Sequence, residues 1–508
     1  MMKRVASLLL FTLLVPAVAH AEEELPLTMD AATARRLSRR DAITIALENS
    51  LAIKLQKQTY AGAKEAVPAA KGRFEPLLKG MYQHSDRDEP PSTAQEGAAG
   101  QILSSKSDVW SVGVEEQTPL GSRISLDYGN GRAASSFGTA VQPVTNRSTL
   151  ALTLTQPLLR GFAFDTDIPL ADVLRAELSS EDARQDVLGQ CIATVRDTEN
   201  AYWDVVLALQ SWRVQKASRQ LAVEQLGLTQ RQIDAGTLPP SDLITAEATL
   251  AQRELGLVQA ENDIESNADR LRRILNLPRQ TWAQALLPLD APRFDELPVT
   301  FEEALSRAVT NRPELKQRHL DIDRAKLGVK VAKNQLLPQV DAVASYGLVG
   351  QRDSFSGATK QLTSGDAPAW SAGVNLSWTP LNITARAQLR AGEAAEGAAA
   401  TGLDQQILDL EIELRLAIRN LGTAVRAVKA AEKLRGLTER TLDAEQRKFL
   451  NGQSSNFFIQ QRQNDLLQAQ LSELQALIQH QKATTALRAA EGVLLEDERI
   501  KLDVAKRQ

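Results

Sequence analysis

Residues 370–378 read Trp-Ser-Ala-Gly-Val-Asn-Leu-Ser-Trp, and this segment carries the clearest strand pattern in the chain. Apolar and small polar residues alternate, so one face of an extended strand carries Trp370, Val374 and Trp378. Eight steps of about 3.3 Å cover roughly 26 Å, or about 20 Å for a tilted strand, close to the apolar band of a transmembrane β-barrel. A tryptophan at each end suits the two membrane–water interfaces. The segment therefore predicts a membrane-spanning strand.

The same alternation recurs in both halves of the chain. It is clear at 340–348 and at 148–156, and it is weaker at 77–83. The first half also holds an extra pair of alternating runs within 108–131, which includes Trp110 and a Thr-Pro-Leu-Gly turn. These segments predict about four barrel strands per chain, and the extra hairpin leaves that number open. A soluble sandwich is the alternative, but two or three strands per half are too few for two packed sheets.

A barrel in lipid has to close, because no water is present to satisfy the open edge of a sheet. Single-chain barrels begin at about eight strands, so about four strands cannot close on themselves. The sequence therefore predicts an oligomer in which each copy contributes part of one barrel.

The chain contains an internal repeat. Residues 41–78 align with residues 303–340 without a gap at a constant offset of 262, and ten positions are identical. Residues 231–236 align with residues 447–452 at an offset of 216. The two offsets differ because the first half contains the extra hairpin. Chance similarity between alanine- and leucine-rich helices is the alternative, but the gap-free register favours duplication.

Two stretches of more than 60 residues, 170–233 and 384–450, contain no proline and are predicted to be single long helices. Each would extend roughly 90–100 Å at about 1.5 Å per residue. Gly236 and Gly452 follow these stretches and are typical C-cap glycines, so the pattern predicts two helical hairpins that turn there.

The second long helix carries two apolar stripes. One stripe repeats with spacings of three and four, as a coiled-coil seam does, and the other consists of Leu408, Ile412 and Leu416. The run 408–414 also alternates with period two, as a strand would, but its alanine- and glutamate-rich flanks favour a helix. A helix with two stripes can pack against two neighbours, as the wall of a closed tube requires.

Composition excludes several functional classes. The 508 residues carry 59 basic and 63 acidic side chains, a formal net charge of −4, so no strong positive field attracts nucleic acid. The single cysteine, Cys191, excludes an intramolecular disulfide, and four scattered histidines do not indicate a metal site. No catalytic or cofactor-binding fingerprint is present, so we expect neither an enzyme nor a cofactor.

The chain resembles the outer-membrane efflux protein family, the TolC-like outer-membrane factors. The resemblance covers nearly the whole mature chain and rests on the order of several short motifs rather than on any one of them. These motifs are Asp-Ala at 41–42, Thr-Gln-Pro-Leu-Leu-Arg-Gly-Phe at 155–162, Ala-Tyr-Trp-Asp at 201–204, the hairpin turn from Arg231 to Ala246, Asn-Arg-Pro-Glu-Leu at 311–315 and Leu-Pro at 337–338.

This resemblance implies an α+β membrane protein that assembles as a homotrimer, with a twelve-stranded β-barrel in outer-membrane lipid joined to a twelve-helix α-barrel in the periplasm. It also implies partners, namely a periplasmic membrane-fusion adaptor protein and an inner-membrane transporter. The expected function is the exit duct of a tripartite efflux pump or of type I secretion. A periplasmic coiled-coil adaptor or scaffold without a pore is the alternative.

The hairpin turns are the expected periplasmic entrance of the duct, and here the chain departs from the family. Members often carry acidic residues six and nine positions after the second turn glycine, where this chain has Phe458 and Gln461; Ser454 lies in the same turn. The first repeat keeps an acid at the corresponding position, Asp242. Phe458 is either a hydrophobic constriction or a residue that packs between helices. Trp110, Trp370 and Trp378 are the candidate membrane girdle.

The expected organisation follows from these assignments. Residues 1–21 form a signal peptide, with a basic start, an apolar run and an Ala-His-Ala cleavage site, although an uncleaved anchor is the alternative. A first repeat at 22–277, a proline-rich linker at 278–300, a second repeat at 301–495 and a tail at 496–508 follow.

Overall fold

The computed structural model describes residues 34–90, 102–135, 144–162, 164–296 and 298–497. The predicted signal peptide, and the tail after residue 497, lie outside the described residues. The chain divides into two compact units. Unit 1 comprises residues 1–50, 194–298 and 419–487, and unit 2 comprises residues 51–193, 299–418 and 488–508.

The structure is mostly helical, with one large sheet. In chain order its helices and strands are β1 (Arg35–Leu37), α1 (Arg39–Asn49), α2 (Leu51–Lys71), β2 (Leu77–Glu89), β3 (Leu103–Gln117), β4 (Arg123–Ser135), β5 (Val144–Pro157), α3 (Ala171–Asp234), α4 (Ser241–Leu275), β6 (Leu286–Pro288), α5 (Phe301–Asn311), α6 (Pro313–Gln335), β7 (Gln339–Arg352), α7 (Phe355–Ser364), β8 (Pro368–Ser377), α8 (Ile383–Leu450), α9 (Asn456–Ala490) and α10 (Leu494–Asp497).

The element bounds follow the offsets of the internal repeat. Helix α5 begins and ends 262 positions after helix α1 does. Strand β7 likewise begins 262 positions after β2. Helix α1 begins at a capping box between Ser38 and Asp41, and α5 begins with the Thr300 hydroxyl accepting from the Glu303 N–H. A capping side chain therefore starts the corresponding helix in each repeat.

The two long proline-free stretches form the helices α3, of 64 residues, and α8, of 68 residues. Residues 408–414 belong to α8, so their period-two alternation does not indicate a strand. No helix among the described residues combines the length and the apolar character needed to cross a bilayer.

Unit 2 contains the large sheet, whose six strands are ordered β2-β3-β4-β5-β7-β8 with every neighbouring pair antiparallel. The extra hairpin of the first half supplies β3 and β4, which extend beyond the predicted 108–131 range because cross-strand pairing continues on both flanks. Among the described residues the sheet therefore has six strands, namely the four expected ones and the two strands of the hairpin that had left the number open.

The core of unit 1 is formed by side chains of α1, α3, α4 and a short parallel pair of strands, β1 and β6. Tyr202, which is 1% exposed, anchors this core because its hydroxyl donates to the Leu37 carbonyl at 3.1 Å and contacts the Asp290 carboxylate at 2.7 Å. The Ala-Tyr-Trp-Asp motif at 201–204 is thus a packing element.

Both strand-to-helix junctions of unit 2 use a left-handed backbone. Gly161 precedes α3 with φ +95°, and Asn382 precedes α8 with φ +35°. Asparagine tolerates this region better than other side-chain-bearing residues. The junction without glycine therefore still makes its turn, and the Asn382 side chain donates to the Gln335 carbonyl at 3.1 Å.

Candidate functional site

The strand register of unit 2 sorts the sheet into two chemically different faces. One line of directly paired residues crosses all six strands and is apolar at every position; we call it the apolar row. Its members are Leu78, Val114, Leu126, Leu152, Tyr346 and Trp370. They are between 41% and 76% exposed, so this face lacks the burial that apolar side chains usually have.

The neighbouring line of paired residues lies on the other face and is small or polar. Its members are Lys79, Gly113, Asp127, Ala151, Gly347 and Ala369. A Cβ on Gly113 would lie 2.1 Å from the Asp127 carboxylate, so glycine there makes room for the acid. Ser345 and Ser371 hydroxyls lie 2.8 Å apart on this same face. Such a face suits contact with water.

Helix α7 covers one end of the apolar face. Its Phe355 ring lies 6.1 Å from Trp110, and its Thr359 hydroxyl lies 3.5 Å from the Tyr128 hydroxyl. A Cβ on Gly350 would come within 2.0 Å of the Ala358 carbonyl, so glycine is needed for this close approach. The sequence analysis did not predict α7, although the N-cap Ser354 and the C-cap Gly365 (φ +74°) are its local signals.

The three candidate girdle tryptophans all belong to unit 2. Trp370 is 76% exposed on β8, and Trp378 follows the end of that strand and is 60% exposed. Trp110 is half-buried and packs edge-on against Tyr128, with ring centroids 5.4 Å apart.

Unit 2 also leaves helical apolar surface uncovered. On α8, Leu410 and Leu414 are buried, whereas Leu408, Ile412 and Leu416 are 49–62% exposed. The first stripe is therefore packed within one chain and the second is free. A groove of about 310 Å³, lined by apolar residues of α3 and α6 such as Leu178 and Leu327, is open as well.

The two hairpin turns of unit 1 have nearly identical glycine geometry. Gly236 follows α3 with φ +73°, and Gly452 follows α8 with φ +71°. Asp242 lies in the first turn of α4 and is half-buried. The Ser454 hydroxyl donates to Glu445 at 2.5 Å and holds the pKa of that carboxyl below its ordinary value.

The second turn presents aromatic side chains on the first residues of α9. Phe458 is 46% exposed and packs edge-on against Phe457, with ring centroids 5.6 Å apart. Gln461 is exposed. The second turn thus presents an aromatic pair and an amide.

A buried polar cluster that the sequence analysis missed fixes this second turn to α3. Asn456, only 3% exposed, accepts from the Gln225 amide at 2.9 Å and donates to the Thr229 hydroxyl at 3.3 Å. No sequence signal identifies this cluster, because asparagine and glutamine in a helical pattern resemble solvent-exposed residues. The contact sets where the start of α9 lies against α3.

Unit 1 also buries charge. Glu199 is 2% exposed and binds the Arg39 guanidinium and the Thr485 hydroxyl. Asp204 pairs with Lys482 and, at 3.4 Å, with Arg270. These contacts connect α1, α3, α4 and α9 within the unit.

The single cysteine, Cys191, is buried in α3. Burial raises the pKa of the Cys191 thiol to about 11, which makes it a poor nucleophile. Within the described part of the chain, no cluster of histidine, cysteine and acidic residues could hold a metal ion.

His480 provides a pH-dependent element in unit 1. Its ring is 2% exposed and packs against Phe294 at 5.2 Å, and burial lowers its pKa although the nearby Asp295 opposes the shift. As the pH falls below about 6.5, the unfolded chain binds this proton more readily than the folded ring does, so folding stability decreases. We expect His480→Phe to lose less thermal stability than the wild type between pH 7.5 and pH 5.

The matched control for that experiment is His319→Gln, because His319 is exposed on α6. Its loss of stability between the two pH values should equal that of the wild type. A His480→Phe variant with the wild-type loss would contradict the assignment.

The sequence model of the family "Outer membrane efflux protein" matches residues 113–277 and 304–493 of this chain. The two matched segments fall on either side of the linker and correspond to the two repeats. No curated protein sequence gives a significant match.

Several solved structures share the fold. The outer-membrane channel OprN is 17% identical, with 92% of this chain and 94% of that chain covered and a TM-score of 0.66. The CmeC outer membrane channel of Campylobacter jejuni is 12% identical, with 91% and 90% covered and a TM-score of 0.65. The open state of the MtrE outer membrane channel of Neisseria gonorrhoeae is 14% identical, with 90% and 89% covered and a TM-score of 0.62.

Proposed function

The chain belongs to the outer membrane efflux protein family, so it acts in efflux at the outer membrane, and on this basis we propose how it forms a duct. Three copies place their sheets in the outer-membrane lipid as one barrel and their long helices in the periplasm as one tube. The duct receives cargo from an inner-membrane transporter through a periplasmic adaptor protein and performs no chemistry itself.

The observation that carries this proposal is the apolar row. Six paired residues on six adjacent strands are all apolar and all at least 41% exposed. In water such a continuous face would promote aggregation, whereas in lipid it lies in its preferred solvent. A coiled-coil scaffold in the periplasm does not require an exposed apolar sheet face, so the scaffold alternative is disfavoured.

The uncovered helical surfaces support assembly from identical copies. Leu408, Ile412 and Leu416 form a stripe that the chain's own helices leave exposed, and a helix in a closed tube has a neighbour on each side. Burial of this stripe against a second copy would remove its apolar side chains from water.

Cell fractionation and channel recording test the proposed duct. The protein should sediment with outer membranes, migrate as a trimer in mild detergent and conduct ions in planar lipid bilayers. Release into the soluble fraction by osmotic shock, together with a monomeric mass, would support the scaffold instead.

We further propose that Phe458 narrows the periplasmic entrance as an apolar ring, which restricts flow because water leaves a narrow apolar constriction. Phe458→Ala should then increase single-channel conductance several-fold in planar bilayers, because the ring of three phenyl groups is removed. The matched control is Phe457→Ala, which removes a neighbouring aromatic ring from the same turn. Equal conductance of Phe458→Ala and wild type would show that Phe458 only packs between helices.

Asp242 adds a second, polar component to the proposed entrance. It is half-buried in the first turn of α4, and three copies would place three carboxylates there. Phe458 and Gln461 are uncharged at the corresponding positions of the second repeat, so at these matched positions only the first repeat supplies a carboxylate.

A further inference from the structure

The number of strands in the sheet of one copy determines the number of strands in the barrel, provided the proposed outer-membrane trimer is correct. Among the described strands β2 and β8 are the two edges of the sheet. In lipid neither edge can remain unpaired. We propose that β8 of one copy pairs with β2 of the next, and that three six-stranded sheets close a barrel of eighteen strands.

The direction of the strands permits this closure. Neighbouring strands are antiparallel throughout, and the sheet contains an even number of them, so β2 and β8 run in opposite directions. Placing β2 of the next copy beside β8 therefore continues the antiparallel pattern without interruption. An odd number of strands would have forced a parallel pair at every subunit boundary.

The apolar row also continues across the proposed boundary. Its two terminal members, Leu78 on β2 and Trp370 on β8, are 72% and 76% exposed. The four inner members are only 41–56% exposed, because each has a strand on both sides. Joining β8 to β2 supplies the missing flank and makes one uninterrupted apolar belt around the barrel.

The extra hairpin is part of the barrel wall rather than a surface loop. Strand β3 pairs with β2 over residues 103–115, and β4 pairs with β5 over residues 123–134. The turn between them is closed by hydrogen bonds of 2.8 Å between Thr118 and Ser122 and between Gly121 and Thr118.

The turn of this hairpin is fitted to the strand-to-helix junction. Gly121 has φ +79°, and a Cβ there would lie 3.2 Å from the Gly161 carbonyl. The Gln156 amide also donates to the Leu120 carbonyl at 3.4 Å. These contacts fix the hairpin at the end of the sheet from which α3 and α8 begin.

Eighteen strands make a wide exit. At a strand spacing of about 4.8 Å and a tilt of about 40°, twelve strands give a backbone diameter of roughly 24 Å and eighteen give roughly 36 Å. Barrels of 16–18 strands enclose an aqueous channel in porins. The outer-membrane exit of this duct is therefore about 1.5-fold wider than in a twelve-stranded relative, which leaves the helical turns as the restriction.

Cryo-electron microscopy of the full-length protein in lipid nanodiscs tests the strand number directly. A trimer with eighteen strands in the membrane wall is the expected result. A trimer with twelve strands and residues 103–135 outside the wall would overturn the inference. A dimer that closes with twelve strands would overturn it as well.

Spin labelling independently measures which face of β3 meets lipid, without a cryo-electron microscopy map. In a Cys191→Ala background, labels at Val112→Cys and Ser111→Cys occupy adjacent positions on opposite faces of β3. The label at 112 should be accessible to oxygen from the lipid, and the label at 111 should be accessible to a water-soluble nickel complex. Equal access of the nickel complex to both labels would place the hairpin outside the membrane.

Disulfide cross-linking tests the boundary between copies. In the same background, Met81→Cys is combined in turn with Ala369→Cys, Ser371→Cys, Gly373→Cys and Asn375→Cys, which all lie on the polar face. At least one combination should give cross-linked dimers and trimers, and failure of all four would contradict the pairing of β2 with β8. Failure of the duct itself is recognised separately, because a protein absent from the outer membrane and without conductance would fail before strands are counted.

Discussion

Val374→Arg is expected to prevent stable insertion of the protein into the outer membrane. Val374 is 65% exposed on the apolar face of β8 and lies midway between Trp370 and Trp378. An arginine facing lipid near the bilayer midplane costs about 2–4 kcal/mol. A trimer would carry this cost in each of its three copies, so the amount of folded trimer in the membrane should fall sharply.

The matched control uses the next residue of the same strand. Asn375→Arg introduces the same side chain on the polar face, where it would meet water inside the barrel rather than lipid. Both variants are quantified as trimer extracted from outer membranes and by urea unfolding in lipid vesicles. If the two variants assemble equally well, the assignment of the lipid-facing side of the sheet is wrong.

Arg39→Leu is expected to destabilise unit 1 more than any other single change at its charge cluster. The side chain of Glu199 is 3% exposed whereas that of Arg39 is 29% exposed, so the carboxylate is the more deeply buried partner. Removing the arginine leaves a buried negative charge supported by the Thr485 hydroxyl. Breaking such a pair from one side costs about 3–5 kcal/mol.

The comparison of single and double variants makes this prediction specific. Glu199→Leu should be less harmful than Arg39→Leu, because Arg39 can turn toward water. The double variant should recover part of the stability lost in Arg39→Leu. Arg40→Leu is the control, since Arg40 is exposed on the same helix. Thermal unfolding measures all four, and equal losses for Arg39→Leu and Arg40→Leu would refute the argument.

Much of the fold follows from periodicity in the sequence. The alternation at 370–378 identified β8, the lack of proline identified α3 and α8, and the offset of 262 anticipated matching bounds for α1 and α5. These features are local, because each depends on neighbouring residues and on a fixed geometric period. They require no knowledge of which element lies beside which.

The features that sequence reasoning missed depend on distant contacts. Glu199 has the appearance of a solvent-exposed helical glutamate, and only the approach of Arg39 and Thr485 makes it a buried anchor. Asn456 is similar, since its partners Gln225 and Thr229 are more than 220 residues away in the chain. The strand number stayed open because alternation shows that a segment is a strand but not where it pairs.

The tight turn at 118–122 has a geometric consequence for the sheet. A hairpin that leaves and returns at the same border adds two wall segments without reversing the direction of any neighbour. Among the described residues only the first half contains such a hairpin, and α1 and α5 have the same length. In the proposed barrel, one added hairpin would therefore widen the bore while every other strand keeps its direction.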